Sequence, residues 1–184
     1  MSDSASYTIR LATPADDAVL ETLIPLSART LQLQHYAAEQ IEAALGPVFA
    51  VDRQLIADGT YFVAELEGRV IACGGWSRRD SHYGAASGRE LDPAQDPARI
   101  RAFFVHPDFA RRGLGRALLL AAEAAMKAAG FRSAELVATL PGEPLYASCG
   151  YTVLKRFEIA IPNAAALPVA HMFKTFTSTG ASQA

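Results

Sequence analysis

With 184 residues, 51% of them hydrophobic and 20% charged, the chain has enough material for one domain with a sizeable core and does not read as disordered. A formal net charge of -2 supplies no basic field, which argues against recruitment of nucleic acid or of an anionic membrane. Cys73 and Cys149 lack CxxC spacing, so neither a disulfide framework nor a zinc knuckle is expected, and no metal site is read. No segment has the length of a membrane span and residues 1–6 lack a signal-type apolar run, so the expectation is a cytoplasmic protein with reduced thiols.

Residues 1–6 and 177–184 are small and polar and read as flexible tails around a single domain at 7–176. Residues 7–11 alternate with period two and predict a first strand. Thr13, Pro14, Asp16 and Asp17 then form a helix start: a capping side chain, a first-turn proline and acids near the positive end of the dipole. Val19, Leu20, Leu23 and Ile24 give that helix its apolar stripe, and Pro25 is expected to kink or interrupt it. Residues 37–45 read as a second helix ended by Gly46-Pro47, and 48–57 as a third ended by Asp58-Gly59. Residues 60–66 and 70–76 are β-rich runs joined by Glu67-Gly68-Arg69, which predicts an antiparallel hairpin. Residues 78–97 form a long polar loop.

Residues 100–105 predict a buried strand, and 113–129 the strongest helix of the chain, with Leu114, Ala117, Leu118, Ala121 and Ala125 along one side and Gly130 as its stop. A strand at 133–138, a short helix at 143–149 and two closing strands at 152–161 and 169–176 complete the order. That order gives a mixed α/β sheet with helices on its faces. The apolar strand from Val169 to Phe173 either closes the sheet edge or offers it to a second copy in a homodimer.

The most informative stretch runs from Ala102 to Leu118. A hydrophobic strand ends at His106-Pro107; a turn carrying Arg111, Arg112, Gly113, Gly115 and Arg116 follows, and a helix starts at once. The first turn of a helix leaves amide hydrogens without partners and carries partial positive charge, so a pyrophosphate placed there accepts several of them. Glycines let a phosphate approach the backbone, and arginines add charge-assisted donors. No Gly-Lys-Ser/Thr follows, so this is not a Walker loop, and the third glycine of a dinucleotide fingerprint is missing.

This stretch resembles the coenzyme-A signature of the GNAT superfamily of acetyl-CoA-dependent N-acetyltransferases, Arg/Gln-x-x-Gly-x-Gly/Ala, with Ala110 at the Arg/Gln position as one departure. The resemblance implies the family's fold: a mostly antiparallel central sheet with a splayed pair of strands and helices on both faces. It implies acetyl-CoA as co-substrate, gripped by Arg111, Arg112, Gly113, Leu114, Gly115 and Arg116, with Phe103, Phe104 and Val105 along the pantetheine arm and a backbone N–H of that strand meeting the oxyanion.

A second stretch, residues 139–151, is similar to the family's late aromatic element, with Leu145-Tyr146 and Gly150-Tyr151 at matching spacing. There a tyrosine hydroxyl points at the thioester sulfur, which implies Tyr146 as general acid to the departing thiolate. Cys149 reads as a half-buried structural thiol rather than a nucleophile. For the base that deprotonates the amine, Glu135 on the preceding strand is the preferred candidate; His82, Glu90 and Asp92 in the long loop are weaker ones, and Arg101 stands where some family members carry an acid. The acceptor, a small-molecule or peptide amine, is expected near Gln32, Gln34, His35, Tyr36, Trp76 and Tyr83. The alternative reading is a non-catalytic acyl-CoA sensor, against which Tyr146 argues.

Overall fold

A computed structural model describes residues 7–80 and 88–176; the expected tails, and with them His82 and Tyr83 of the long loop, lie outside the described residues. Strand β1 (Thr8–Leu11) leads through a one-turn 3-10 helix (Pro14–Asp16) into α1 (Asp17–Leu31). Next come α2 (Ala38–Ala44), α3 (Arg53–Ala57), the hairpin β2 (Tyr61–Leu66) and β3 (Arg69–Ser77), and then β4 (Ala98–Val105). A second 3-10 turn (Pro107–Phe109), α4 (Leu114–Ala128), β5 (Ser133–Thr139), α5 (Glu143–Ser148), β6 (Thr152–Ile159) and β7 (Leu167–Thr175) follow. Among the described residues no helix is long and apolar enough to cross a membrane.

The strands form one sheet in the order β1-β2-β3-β4-β5-β7-β6. Every neighbouring pair is antiparallel except β4 and β5. That parallel pair is in register only at Ala98↔Ala134, Arg99↔Glu135 and Ile100↔Leu136, after which the two strands part. The cause lies in β4, where Ala102 sits at a φ of 58° and the register with β3 shifts between Cys73 and Gly75. Such a bulge bends its strand away from a regular ladder. The buried Tyr61 hydroxyl donates to the Ala102 carbonyl at 3.2 Å and holds the bulge in place.

One sheet face packs against α1, α2 and α3 through Leu20, Ile24, Ile41, Leu55, Val63 and Phe104, and the other against α4 through Leu119, Ala122, Met126, Ile100 and Leu136. Full burial of side chains such as Leu119 and Met126 contributes about 2 kcal/mol each. The buried stripe of α4 is centred on Leu114, Leu118, Leu119, Ala122 and Met126, rotated from the expected Ala117, Ala121 and Ala125, which are only half-buried. Large side chains take the contact with the sheet and leave the small alanines to its flanks.

Other expectations are corrected. Val19 is 36% exposed and lies off the stripe of α1. Pro25 stays inside α1 without ending it, because the carbonyl it leaves without a donor belongs to exposed Glu21, where water can reach it. Residues 48–52 are not helical: α3 starts only after Asp52, whose carboxylate caps it by accepting from the Leu55 amide at 3.2 Å. Strand β7 is interior, flanked by β5 and β6, so the sheet edges are β1 and β6 and not the Val169–Phe173 run.

Candidate active site

A cavity of about 220 Å³ opens where β4 and β5 separate. Phe103, Phe104 and Val105 line it from β4; Gly115, Leu145 and Tyr146 reach it from the α4 and α5 side; Gln32, residues 46–52, Glu135 and His171 reach it from the α1 side. Two stretches singled out in sequence, and the acid between them, therefore meet in one space.

At the mouth of α4, Arg111 has a φ of 63° and Gly113 a φ of 85°, and the chain then turns directly into the helix. The amide of Ala117 bonds to the Gly113 carbonyl at 2.9 Å, so the amides of Leu114, Gly115 and Arg116 precede the first intrahelical bond and have no partner within the helix. Leu114 is buried and anchors the turn, while Arg111, Arg112 and Arg116 are exposed and pair with no carboxylate among the described residues. The two glycines serve different ends. A Cβ at Gly113 would meet nothing within 4 Å, so the left-handed φ is what requires glycine; a Cβ at Gly115 would meet Leu145 Cδ2 at 3.0 Å, so close approach of α5 is what requires it.

Sequence reasoning missed Arg69, which the β2–β3 hairpin delivers from far away in the chain. Its guanidinium lies 6.0 Å from the Phe109 ring centroid, with Arg112 at 5.4 Å from the same ring. His106 is a turn residue: its Nδ1 accepts from the Asp108 amide, and its Nε2 lies 2.6 Å from Arg69.

Tyr146 is buried, with its ring edge-on to Phe103 at 6.1 Å and to Tyr151 at 6.0 Å. Among the described residues its hydroxyl makes no hydrogen bond, and the side chain lines the cavity. Burial, with a smaller contribution from Cys149, raises the phenol above its ordinary value, so it keeps its proton. Helix α5 is fixed by a two-pronged ion pair in which Arg156 of β6 donates to both oxygens of Glu143 at 2.7 Å. Cys149 is half-buried, off the cavity, with its sulfur 3.9 Å from Ser148 Oγ.

Across the split, one face of the sheet presents an ionic cluster. Arg99 pairs with Glu135 and donates to Asp80 at 2.7 Å, and Arg101 pairs with Asp52. Glu135 Oε2 lies 3.1 Å from His171 Nε2, at an angle short of a hydrogen bond. At the cavity wall the carboxylates of Asp52 and Glu135 thus meet the guanidiniums of Arg101 and Arg99, while Asp80 also pairs with Arg89 at 3.7 Å.

Of the expected acceptor residues that the structure describes, only Gln32 lines the cavity, with a buried Oε1 that has no partner among the described residues. Gln34 and His35 are exposed. Tyr36 is a strut: its hydroxyl donates to the Pro168 carbonyl at 2.7 Å and accepts from the Leu140 amide at 2.8 Å. Trp76 packs in the core against Phe131 at 5.7 Å. Glu90 and Asp92 are exposed and off the cavity, and Asp92 instead accepts from the Ala94 amide.

A family model of the acetyltransferase (GNAT) domain matches residues 57–153, more than half of the chain. No curated protein sequence matches it. Among solved structures, the GCN5-related N-acetyltransferase of Rhodopseudomonas palustris is 23% identical, with a TM-score of 0.70 over 93% of this chain and 96% of that one. The PaiA N-acetyltransferase of Thermoplasma acidophilum, solved in complex with coenzyme A, is 16% identical with a TM-score of 0.64, covering 93% of this chain and 99% of its own. The ribosomal-protein-S18-alanine N-acetyltransferase of Escherichia coli is 16% identical with a TM-score of 0.60, covering 97% of this chain and 99% of its own. At these identities the likeness is one of fold.

Proposed function

The chain belongs to the GNAT acetyltransferase family, and on that premise we propose that residues 7–176 form one acetyl-CoA-dependent N-acetyltransferase domain acting by direct attack of an amine on the thioester. The observation that carries this reading is the single cavity joining the mouth of α4, the Tyr146 hydroxyl and the ionic cluster at Glu135 through the gap between β4 and β5.

Coenzyme A supplies an activated acetyl group and a thiol leaving group. Its pyrophosphate accepts from the free amides at 114–116, with Arg111, Arg112 and Arg116 offsetting the charge. Phe103, Phe104 and Val105, which line the cavity, would run beside its arm. The amine nitrogen attacks the carbonyl carbon, the C–N bond forms, and the C–S bond breaks with its electron pair on sulfur. Tyr146 donates a hydrogen bond to that sulfur as the charge develops. A phenol raised by burial is a weaker acid than an ordinary thiol, so complete transfer requires that the thiolate, formed in the same desolvated cleft, be raised too. On the other side the amine gives up its proton to the basic cluster around Glu135.

Thiol release from acetyl-CoA over a panel of small amines and peptide N-termini tests the reading. Tyr146→Phe lowers kcat by about a hundredfold with acetyl-CoA affinity unchanged. Unchanged turnover removes Tyr146 from the chemistry, and coenzyme binding without thiol release for any amine turns the protein into an acyl-CoA sensor.

A further inference from the structure

His171 reaches the cavity from β7, outside both stretches that carry the family resemblance. Period-two alternation along β7 places it with Leu167 and Val169 on the face turned to α1, where its register partners are Val137 of β5 and Lys155 of β6. Its Nε2 is buried against Glu135 Oε2 at 3.1 Å. The other oxygen of Glu135 pairs with Arg99, so the carboxylate sits between a guanidinium and the His171 ring. The ring's Nδ1, by contrast, makes no hydrogen bond among the described residues.

We propose that His171 is the catalytic residue that takes the proton from the acceptor amine, with Glu135 as its positioning residue. This deepens the acetyl-transfer reading and rests on it. A carboxylate against Nε2 favours the tautomer with its hydrogen there, which leaves the Nδ1 lone pair free, and it stabilises the imidazolium once formed. The ammonium passes one proton to Nδ1; the free amine attacks; the thiolate takes the Tyr146 proton as the C–S bond breaks; and Tyr146 recovers a proton from the nitrogen as the amide forms. The net result is one amide, one thiol and one proton left on His171 for solvent.

The charged groups around the ring are accounted for. From β5 comes Glu135; from β4, Arg99 and, paired with Asp52 ahead of α3, Arg101; from β6, Lys155, whose ammonium lies over the Phe157 ring at 5.5 Å. From the end of α1 comes the neutral C-cap residue Gln32.

The experiment is the pH profile of thiol release between pH 6 and 10 with an alkylamine acceptor, for wild type, His171→Asn and Glu135→Gln, with acetyl-CoA titrated calorimetrically into each to show a folded coenzyme site. His171→Asn is expected to lose about a hundredfold in kcat/KM at pH 7. Its deficit shrinks about tenfold per pH unit as the free amine grows towards an amine pKa of about 10, while wild type stays on a plateau. Glu135→Gln keeps the plateau with a loss of about tenfold. A wild-type profile for His171→Asn overturns the proposal, as does a Glu135→Gln variant that loses the plateau while His171→Asn keeps it. Either result leaves wild-type acetyl transfer and the Tyr146 reading standing.

Discussion

Replacing Gly113 by alanine isolates the backbone geometry on which the coenzyme site depends. The residue sits at a φ of 85°, and an added Cβ would meet nothing within 4 Å, so steric crowding contributes nothing. What remains is the cost of the left-handed conformation for an L-residue, about 1–2 kcal/mol. The unfolded chain loses freedom on the same substitution, which offsets about 0.4–1 kcal/mol. The net destabilisation is about 1 kcal/mol, a fall in Tm of about 2–4 °C for a chain of this size. The turn relieves the strain by rotating the amides that open α4, so acetyl-CoA affinity falls about tenfold in calorimetry. Gly115→Ala is the matched comparison: its φ is ordinary, its Cβ would crowd Leu145 Cδ2 at 3.0 Å, and its effect enters through the cavity wall beside Tyr146. If Gly113→Ala melts no lower than wild type and binds acetyl-CoA equally well, the assignment of the α4 mouth as the pyrophosphate site is wrong.

Two further predictions concern charges away from the cavity. Glu123 lies on the buried face of α4, where it accepts from Tyr151 Oη at 3.0 Å and from Lys174 Nζ at 2.7 and 2.9 Å; Glu123→Ala strands the lysine and costs about 3 kcal/mol in denaturant unfolding, and a loss below about 0.5 kcal/mol would contradict the pairing. The Arg10 guanidinium holds the Asp16 carboxyl down at about 2 from its ordinary 3.8, so the pair's stabilisation is complete above the unfolded value and fades as pH falls towards 2. Allowing for the partly exposed arginine, Asp16→Asn loses about 1–2 kcal/mol at pH 7, and the gap to wild type closes at pH 2 in acid unfolding curves.

The hairpin, α4, β5 and α5 are legible in the sequence because each is bounded by a local signal: Glu67-Gly68 with positive φ at both residues, Gly113 and Gly130 around α4, Pro144 at the start of α5. The coenzyme side of the site shares that property, being a contiguous strand-turn-helix. The acceptor side does not. Asp52, Arg99, Glu135 and His171 come from four segments, and only the sheet order, with β7 placed beside β5, brings the last two together. The alternation of β7 does mark His171 as an ionisable side chain on an otherwise apolar face, but its partner cannot be read without the register. The interruption at Pro25 and the helix over 48–52 fail for a related reason: local propensity is overridden by water access in the first case and by the Asp52 cap, with its tie to Arg101, in the second.

The β4 bulge explains how one strand serves both halves of the reaction. Ile100 faces α4 and Arg101 faces α1, so strict alternation would turn Phe103 towards the acceptor side and Phe104 towards Tyr146. The extra residue at Ala102 reverses this. Phe103 packs edge-on to Tyr146, and Phe104 packs edge-on to Phe49, in the segment that walls the acceptor side. The same residue ends the pairing with β5 and so opens the cavity beside the tyrosine. A composition-preserving shift of one position in β4 would keep its hydrophobic content and its arginines, yet it would separate the aromatic wall from the acid. Sidedness beyond Arg101, and not the residue types themselves, is therefore what sets the tyrosine and the ionic cluster on opposite sides of one gap.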